Sequence, residues 1–372
     1  MTLVSLAWRN LLRRPMRTVL TVVGVGLAVG CALALIALSH SIEDSTRVSM
    51  EEHGTDLAVT QHGANDLFGG YLSETLAERL EKIRGVQRIS SELFMFAPSE
   101  RNRQVILTGW PEANPSWKHM PIRDGRTPQP GERHVAVIGD LIADALNKRV
   151  GDTIELLGTP FKVIGISKYA SVINRGEVLV PLKDLQELTY RKGQVTMFSV
   201  TLPRNVSKSE VERVRNEIAA LDRVTVSTPS EVLQNDRNVG TLRAVSQVVT
   251  IIALIMGVVS VLNTLLMSTQ ERTREIGIVA AVGWSDRLIM GSILLEGLLI
   301  CAFGCAIGVV LSFLASFLFH DVPTIGDYLE FKPSLGLILP TVLATFALCA
   351  AGSLYPAWRA VRMTPAEALQ RV

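Results

Sequence analysis

TVLTVVGVGLAVGCALALIAL, from Thr18 to Leu38, is the stretch that decides the class of fold, because it is long, apolar and uncharged. With a rise of about 1.5 Å per residue, a helix of this length crosses a hydrocarbon core of about 30 Å. Arginines precede it, as they precede a secretory signal, but the apolar region of such a signal has only about 7 to 15 residues. We therefore predict a first membrane span over residues 18–40, after an amphipathic segment at residues 1–17.

Three further apolar runs follow, and charged residues are scarce in each of them. They cover Ala244 to Gln270, Leu288 to Phe319 and Ser334 to Leu354. The whole chain is 48% hydrophobic and 19% charged, and most of its charges lie between the first and second runs. We predict spans over residues 244–270, 285–319 and 334–356. The topology is then one span, a large polar domain and three more spans.

The sidedness of the spans follows from the basic residues of the short connections, since these residues favour the cytoplasmic side. They are Arg9, Arg13, Arg14, Arg17, Arg272, Arg274, Arg287, Arg359, Arg362 and Arg371. The connection at 320–333 has only Lys332 against three acidic residues. We predict that both termini (the second formed by 357–372) and the 271–284 connection are cytoplasmic. Residues 41–243 are then extracytoplasmic, because long loops translocate largely regardless of charge.

Residues 41–243 show the patterns of an α+β domain. Strand, helix and strand are predicted at Thr55–Gln61, Ser73–Gly85 (capped by Ser73) and Val86–Ser91, and again at Met197–Pro203, Ser207–Leu221 and Val224–Thr228. A distal β-rich subdomain at 112–188 separates the two units, and Gly158 with Pro160 indicates a hairpin there. The expected fold is an α-helical membrane protein with four transmembrane helices. Its α+β extracytoplasmic domain has two subdomains, a porter-like α+β part and the β-rich insert.

Several function classes lack their sequence signals. The net charge of +2 gives no reason to expect a nucleic-acid partner. No GxxxxGK[ST], HExxH or GxSxG pattern occurs, so we expect no catalytic residues and no nucleotide bound by this chain. His40, His53 and His62 fit no ligand spacing, and we predict a solvated surface position and no metal. The four cysteines share an apolar setting that suits packing: Cys31, Cys301, Cys305 and Cys349.

Small and ionisable residues within the spans are candidates for contacts inside the membrane. Gly26 with Gly30 and Gly304 with Gly308 have the four-residue spacing that lets helices pack closely, between spans or between subunits. The alternative is ordinary glycine usage in membrane helices. Glu296 is the single charge of its apolar run. Such a residue usually faces protein or a watery cavity, although one near the end of a span can instead reach the interface.

Three motifs add to this pattern. They are NTLLMSTQERTREIGIVAAVG (Asn263–Gly283), VIGDLIADALNKRVGDTIELLGTPFKVIGI (Val137–Ile166) and YPAWRAVRMTPAEALQ (Tyr355–Gln370). Together with the one-plus-three topology they resemble the MacB, LolC/LolE and FtsX superfamily of ABC transporter permeases, the mechanotransmission transporters. The resemblance is to the exporter branch, without a fused ATPase, since only about 17 residues precede the first span. The three motifs together cover under a third of the chain.

The resemblance implies a coupling helix after the second span, where a cytoplasmic ATPase docks. It assigns this role to Glu271, Arg272, Arg274, Glu275, Gly277 and Gly283. The residues themselves indicate a short interfacial helix, since charges alternate with isoleucines where the chain leaves the membrane. The alternative is a basic amphipathic segment lying on anionic headgroups. Many relatives carry a basic residue at or beside the position of Ala280, so this chain departs from the pattern there.

The carboxyl-terminal motif is expected to anchor the chain at the inner interface. Pro356 is predicted to end the fourth span, and Arg359 and Arg362 to hold the interface. Pro365 is predicted to begin a last short helix, because proline is favoured at the first helical position. The resemblance adds a contact with the ATPase as a further role for this segment. Simple anchoring is the alternative.

The resemblance implies a permease subunit, not itself an enzyme, that drives export or extraction of a hydrophobic or periplasmic substrate. The partners are two cytoplasmic ABC ATPase subunits, a second permease copy (most simply a homodimer), membrane lipid and in some systems a periplasmic adaptor. ATP and Mg then belong to the ATPase subunit. The location is the bacterial inner membrane. The alternatives are an FtsX-like relay that activates a periplasmic hydrolase without transport, and a ligand receptor that has no ATPase.

Overall fold

The computed structural model describes residues 3–64, 69–100, 104–320 and 334–362. The predicted connection at 320–333 therefore lies outside the described residues except for its first residue. The helix predicted from Pro365 lies outside them entirely. Two compact units are present: a helical unit, formed by residues 3–39, 243–319 and 334–362, and an α+β unit at residues 40–242. Each has its own core.

Helices make up the helical unit and also flank the sheet of the α+β unit. In chain order they are α1 (Leu3–Arg13), α2 (Pro15–Glu52), α3 (Leu76–Glu81), α4 (Ser116–His119), α5 (Asp140–Leu146), α6 (Val172–Arg175), α7 (Leu182–Leu188), α8 (Lys208–Ala219), α9 (Pro229–Asn235), α10 (Arg237–Glu271), α11 (Thr273–Ala281), α12 (Asp286–His320) and α13 (Leu335–Val361). Among the described residues, four of these helices are long and apolar enough to cross a membrane, namely α2, α10, α12 and α13. The predicted four-span architecture is confirmed.

The first spanning helix continues well past the predicted end at residue 40. It reaches Glu52 because the polar residues that follow the apolar run support a helix of their own. Arg47 bridges Asp44 at 2.5 Å and Glu51 at 2.8 Å, the i,i+3 and i,i+4 pairs that stabilise an exposed helical turn. The apolar run sets where this helix crosses the membrane but not where it ends.

The fourth spanning helix does not end at Pro356, contrary to the sequence prediction. It runs through Pro340 and Pro356 and ends at Val361. Proline removes a backbone donor, which normally breaks a helix in water, but neighbouring helices and local adjustments accommodate it in a membrane helix. Pro356 is buried in the helical unit, where such neighbours are available.

The α+β unit is built on one long mixed sheet. Its strands are β1 (Leu57–Gln61), β2 (Leu72–Ser73), β3 (Arg88–Pro98), β4 (Gln104–Trp110), β5 (Ile122–Gly125), β6 (Val135–Gly139), β7 (Thr153–Leu156), β8 (Thr159–Ser167), β9 (Glu177–Pro181), β10 (Gln194–Val195), β11 (Met197–Thr201) and β12 (Val224–Ser227). Ten of these strands form the long sheet, in the order β12-β1-β11-β3-β4-β9-β6-β8-β5 with β7 also paired to β8, whereas β2 and β10 pair in a separate two-stranded sheet. The pairs β4 with β9 and β6 with β8 are parallel, and the other pairs are antiparallel.

Strand β3 joins the two parts of this sheet. Its residues 88–92 pair with β11 and its residues 93–98 pair with β4. The distal part thus includes the end of β3 and all of β4. It begins before residue 112, the start that the sequence predicted. A strand that serves two subdomains leaves no composition change at their boundary, so the sequence does not reveal it.

Local predictions in the α+β unit hold in most places and fail at one helix start. The predicted hairpin is confirmed: β7 and β8 are antiparallel and are joined by Leu157 and Gly158, both with positive φ as a tight two-residue turn requires. The helix predicted from Ser73 begins only at Leu76, with Thr75 in the cap position. Ser73 instead lies in β2 opposite Gln194 of β10, and this strand pairing excludes it from the helix.

Candidate functional site

The chain forms a short helix between α10 and α12, at the place where the sequence predicts the coupling helix. The predicted segment is 271–284, and the helix itself, α11, covers Thr273–Ala281. Gly283 ends it with a φ of +99°, which glycine adopts without steric cost. The N–H of Gly283 donates to the carbonyl of Ala280 at 3.0 Å, so the turn satisfies one of the last helical carbonyls.

Helix α11 has one face against the bundle and one face free. Thr273 and Gly277 are buried, one turn apart, and Ile276 packs against the bundle core beside them. On the other side Ile278 is 48% exposed and Val282 is 77% exposed. An apolar face that the bundle leaves uncovered is the kind of surface that contacts a protein partner or the membrane.

Of the charged residues assigned to coupling, Arg274 is the one left facing outward on this surface. It is exposed, one turn before Ile278. No ion pair within the described part of the chain includes it. The free face of α11 therefore combines a guanidinium group with apolar side chains, a composition typical of interface centres.

The acidic residues of the coupling segment are held by arginines from the amino-terminal end of the chain. Arg13 Nη1 donates to both carboxylate oxygens of Glu275, at 2.8 and 2.9 Å. Arg17 donates to Glu271 at 2.8 and 3.0 Å, and Arg14 donates to it at 2.7 Å. Arg13 and Arg17 have the same four-residue spacing as Glu271 and Glu275. These pairs of opposite charge hold the coupling segment against the amino-terminal helices.

The Glu296 side chain is buried and points into protein. It lies on α12, is 3% exposed, and its Oε1 accepts hydrogen bonds from Arg272 Nη1 at 2.8 Å and from Asn10 Nδ2 at 2.6 Å. A carboxylate in an apolar span is costly unless it is paired, and here the partner comes from the coupling segment. A cavity of about 170 Å³ opens beside this pair, and Arg17, Thr264 and Ser268 also line it.

The two glycine pairs lie opposite each other and bring α2 and α12 together. A Cβ built on Gly26 would lie 3.3 Å from the Gly304 carbonyl oxygen, and one on Gly30 would lie 3.1 Å from that of Gly308. A Cβ on Gly308 would approach the Cβ of Val29 to 2.7 Å. These glycines therefore pack two spans of one chain.

The predicted anchor residues lie at the end of α13. Arg359 and Arg362 are both exposed, and the Arg362 guanidinium lies 4.3 Å from the centre of the Trp358 ring. A cation over an aromatic face suits the membrane interface, where both groups are enriched.

The histidines predicted to be solvated differ from one another. His40 and His62 are exposed, but the His53 side chain is 9% exposed and lies against Trp110 and Tyr169, with ring centres 5.0 and 5.6 Å away. His53 follows directly after α2, where tertiary packing buries it. Within the described ranges, no group of three histidine, cysteine, aspartate or glutamate residues is arranged to hold a metal ion.

His53 also belongs to a buried polar cluster that the sequence did not indicate. Its Nε2 lies 4.0 Å from Glu177 Oε2, and neither atom has a hydrogen-bond partner in the described structure. Burial lowers the pKa of His53 to about 4 and raises the pKa of Glu177 to about 8. Burial likewise raises the pKa of Glu92 to about 7. Both carboxyls then take up protons far more readily than exposed ones.

Two family models match the chain. A MacB-like periplasmic core domain matches residues 18–221, and an FtsX-like permease C-terminal region matches residues 248–365. The first match alone covers more than half of the chain. The second takes in α11 and the last two spans.

Curated relatives agree with these matches. An ABC transporter permease of Methanocaldococcus jannaschii is 24% identical, over 99% of this chain and 97% of the relative. The macrolide export ATP-binding/permease protein MacB of Marinobacter nauticus is 26% identical over 98% of this chain, which spans only 60% of that longer protein. The crystal structure of the periplasmic region of MacB from Actinobacillus actinomycetemcomitans is similar to 51% of this chain, with 16% identity and a TM-score of 0.40. On the family matches, the chain belongs to the MacB/FtsX-like family of ABC transporter permeases.

Proposed function

We propose that this chain is a permease subunit that couples ATP hydrolysis by a separate ATPase subunit to a conformational change of its α+β domain. The observation that carries the proposal is the free face of α11, where Arg274, Ile278 and Val282 are exposed on a helix whose opposite face is packed into the bundle. A partner that pushes on such a helix moves the spans to which it is attached. The work is then delivered to the domain between α2 and α10.

The substrate class in this proposal is a hydrophobic or periplasmic molecule that the complex exports or extracts. The MacB relative is named for macrolide export, and it supports the export branch of the proposal. ATP and Mg are bound by the partner ATPase, and this chain contributes no catalytic residue. Two ATPase subunits and a second copy of this chain complete the complex, with a periplasmic adaptor as a further partner.

The proposed location is the bacterial inner membrane, with both termini and α11 on the cytoplasmic side and the α+β domain outside. Arginines of the short connections support this sidedness. In this orientation the free face of α11 lies on the cytoplasmic side, where ATP is present.

A second candidate function is an FtsX-like relay that activates a hydrolase outside the membrane and transports nothing. The FtsX-like match over residues 248–365, which contains most of α10, α11 and the last two spans, is compatible with a relay and with an exporter alike. A relay and an exporter share the coupling step and differ in what the outer domain contacts.

The proposal is tested by purifying the chain in mild detergent and identifying the proteins that accompany it. We expect an ATPase with a Walker A sequence. Val282→Asp places a charge on the exposed apolar face of α11, and we expect it to reduce the recovered ATPase at least about tenfold, equivalent to about 1.4 kcal/mol. Val150→Asp makes the same exchange at an exposed site in the α+β unit and serves as the control. Equal ATPase recovery with both variants, or none with the unaltered chain, would contradict the proposal.

A further inference from the structure

The carboxylate of Glu296 connects three separate elements of the helical unit. It lies on α12, it accepts a hydrogen bond from Asn10 of α1, and it pairs with Arg272, the residue directly before α11. We propose that Glu296 is a positioning residue that ties α1 to the coupling segment, so that α1 follows α11 when a bound ATPase displaces it. This inference rests on the function proposed above.

Burial makes the link between Glu296 and Arg272 a strong one. The Glu296 side chain is 4% exposed and that of Arg272 is 21% exposed, so little water screens the pair. Separating a buried ion pair leaves a buried charge without a partner, which is strongly unfavourable. The paired arrangement of Glu296 and Arg272 is therefore favoured. The coupling segment therefore has a preferred position relative to α12, and moving it means breaking or carrying along this pair.

Helix α1 is attached to the same segment at a second point. Arg13 donates twice to Glu275, and Glu275 also accepts from Arg272 at 3.4 Å. Asn10 and Arg13 are three residues apart and so share one face of α1. The chain of contacts runs from Asn10 to Glu296, Arg272, Glu275 and back to Arg13. It closes on α1 and makes α1 and the start of α11 one mechanical unit.

A separate set of contacts holds α2 against α10 and does not involve α1. Arg17 pairs with Glu271 at 2.8 Å, and Thr21 Oγ1 lies 2.6 Å from Thr264 Oγ1. These two contacts join the spans directly. The structure thus has one tie between the spans and another between α1 and the coupling segment, and the two ties can be removed independently.

The outer side of α1 is suited to follow such a movement at the membrane surface. Arg9 and Leu12 are exposed, and Trp8 is half-exposed, with its ring centre 5.6 Å from that of Phe303 on α12. A helix that presents apolar and basic side chains in this way lies in the interface. The cavity beside Glu296 leaves room on the inner side, so Arg272 and Glu296 can shift without first unpacking the core.

The test uses the full chain with its co-purified ATPase in lipid nanodiscs, in a Cys31→Ala background. A spin label is placed on α1 at Arg9→Cys or, in a second sample, on α11 at Ala281→Cys; both positions are exposed. The measurement is the change in each spectrum when ATP and vanadate are added. In the otherwise unaltered chain we expect both labels to respond.

Glu296→Gln removes the charge and keeps the volume of the side chain. Because the contact of Arg13 with Glu275 would still hold α1, this change is combined with Arg13→Gln; we then expect the α11 label to respond as before and the α1 response to fall about fivefold or more, the lower range of ordinary coupling between sites. A merely structural role would alter both responses together. Arg17→Gln is the matched control, since it weakens the tie between the spans and leaves Glu296 untouched; both labels should respond in it.

A second variant keeps the test decisive if Glu296→Gln does not fold. Asn10→Ala with Arg13→Gln cuts both attachments from the α1 side and leaves the buried pair of Arg272 and Glu296 intact, and we expect the same split between the two labels. An α1 response of full size in this variant, beside a normal α11 response, would overturn the inference alone. An α11 label that ignores ATP in the unaltered chain would instead overturn the proposed function, and the inference with it.

Discussion

The hydroxyl oxygens of Thr21 and Thr264 lie 2.6 Å apart, so a hydrogen bond joins the first and second spans within their apolar runs. Thr21 also donates to the carbonyl of Arg17 at 2.9 Å, which leaves Thr264 as the donor in the bond between the helices. Such bonds supply specificity where lipid provides no hydrophobic drive for helix association.

Removing this bond is expected to weaken the helical unit modestly. Thr264→Val keeps the shape of the side chain and loses the donor, and we expect a loss of about 0.6 kcal/mol of unfolding free energy, the average for such bonds in a membrane protein, and at most about 1.7 kcal/mol. Thr21→Val in a double-mutant cycle isolates the pair. A coupling energy of zero in that cycle would show that the two hydroxyls do not interact.

The contact between α2 and α12 predicts a difference between two glycines of the same helix. Gly308→Ala places a Cβ 2.7 Å from that of Val29 and 2.9 Å from the Gly26 carbonyl oxygen, and we expect a loss of about 1 to 3 kcal/mol from overpacking. Gly291→Ala on α12 meets nothing within 4 Å, and we expect no loss there. Thermal unfolding in detergent compares the two. Equal melting temperatures would contradict the observed packing.

Most of the membrane architecture could be predicted from the sequence, because a span is a property of a contiguous run. The partners of Glu296 could not, since Asn10 and Arg272 are far from it in the chain. The equal spacing of Arg13 with Arg17 and of Glu271 with Glu275 was a usable signal. By themselves the arginines indicate only sidedness, and the match of opposite charges between helices is recognised only once the packing of the helices is known.

In the α+β unit the sequence located strands and the hairpin, but long-range packing decided the rest. Ser73 has the side chain of a helix cap, yet a two-residue strand pairing places it elsewhere. His53 stands in a polar stretch and is nevertheless buried against Trp110 and Tyr169. Neither outcome follows from local propensity, because each depends on residues more than fifty positions away.

The buried carboxyl of Glu177 predicts a stability that falls as the pH rises. Its pKa is about 8 in the folded chain against an ordinary value of 4.5, so between these pH values the folded state keeps a proton that the unfolded state releases. The unfolding free energy should therefore decrease across this window and level off above it. Glu92, with a pKa raised to about 7, adds to the same trend, whereas His53, with a pKa lowered to about 4, opposes it up to its ordinary value of 6.5.

The check is urea unfolding of the detergent-solubilised chain, followed by tryptophan fluorescence, from about pH 5 to pH 8. Glu177→Gln should flatten the dependence, because the contributions of Glu92 and His53 that remain oppose each other below pH 6.5. The exposed Glu155→Gln, on the same unit, should leave the slope unchanged. An unaltered slope in Glu177→Gln would show that this carboxyl does not bind the proton.

The sidedness of the chain is tested with a thiol reagent that does not cross membranes, in intact cells with a permeable outer layer and in the Cys31→Ala background. Tyr190→Cys lies on the α+β unit at a position 96% exposed and should be labelled from outside. Arg274→Cys on α11 should be labelled only after the cells are lysed. Labelling of Arg274→Cys in intact cells would reverse the orientation.

The account depends most directly on what touches the free face of α11. A photo-crosslinking amino acid at Ile278, in living cells, should join this chain to an ATP-binding subunit, and the same group at the buried Thr273 should not. Capture of an ATPase at position 278 is the result we predict. Crosslinks from position 278 only to lipid, with an intact and correctly inserted chain, would contradict the coupling role of this helix.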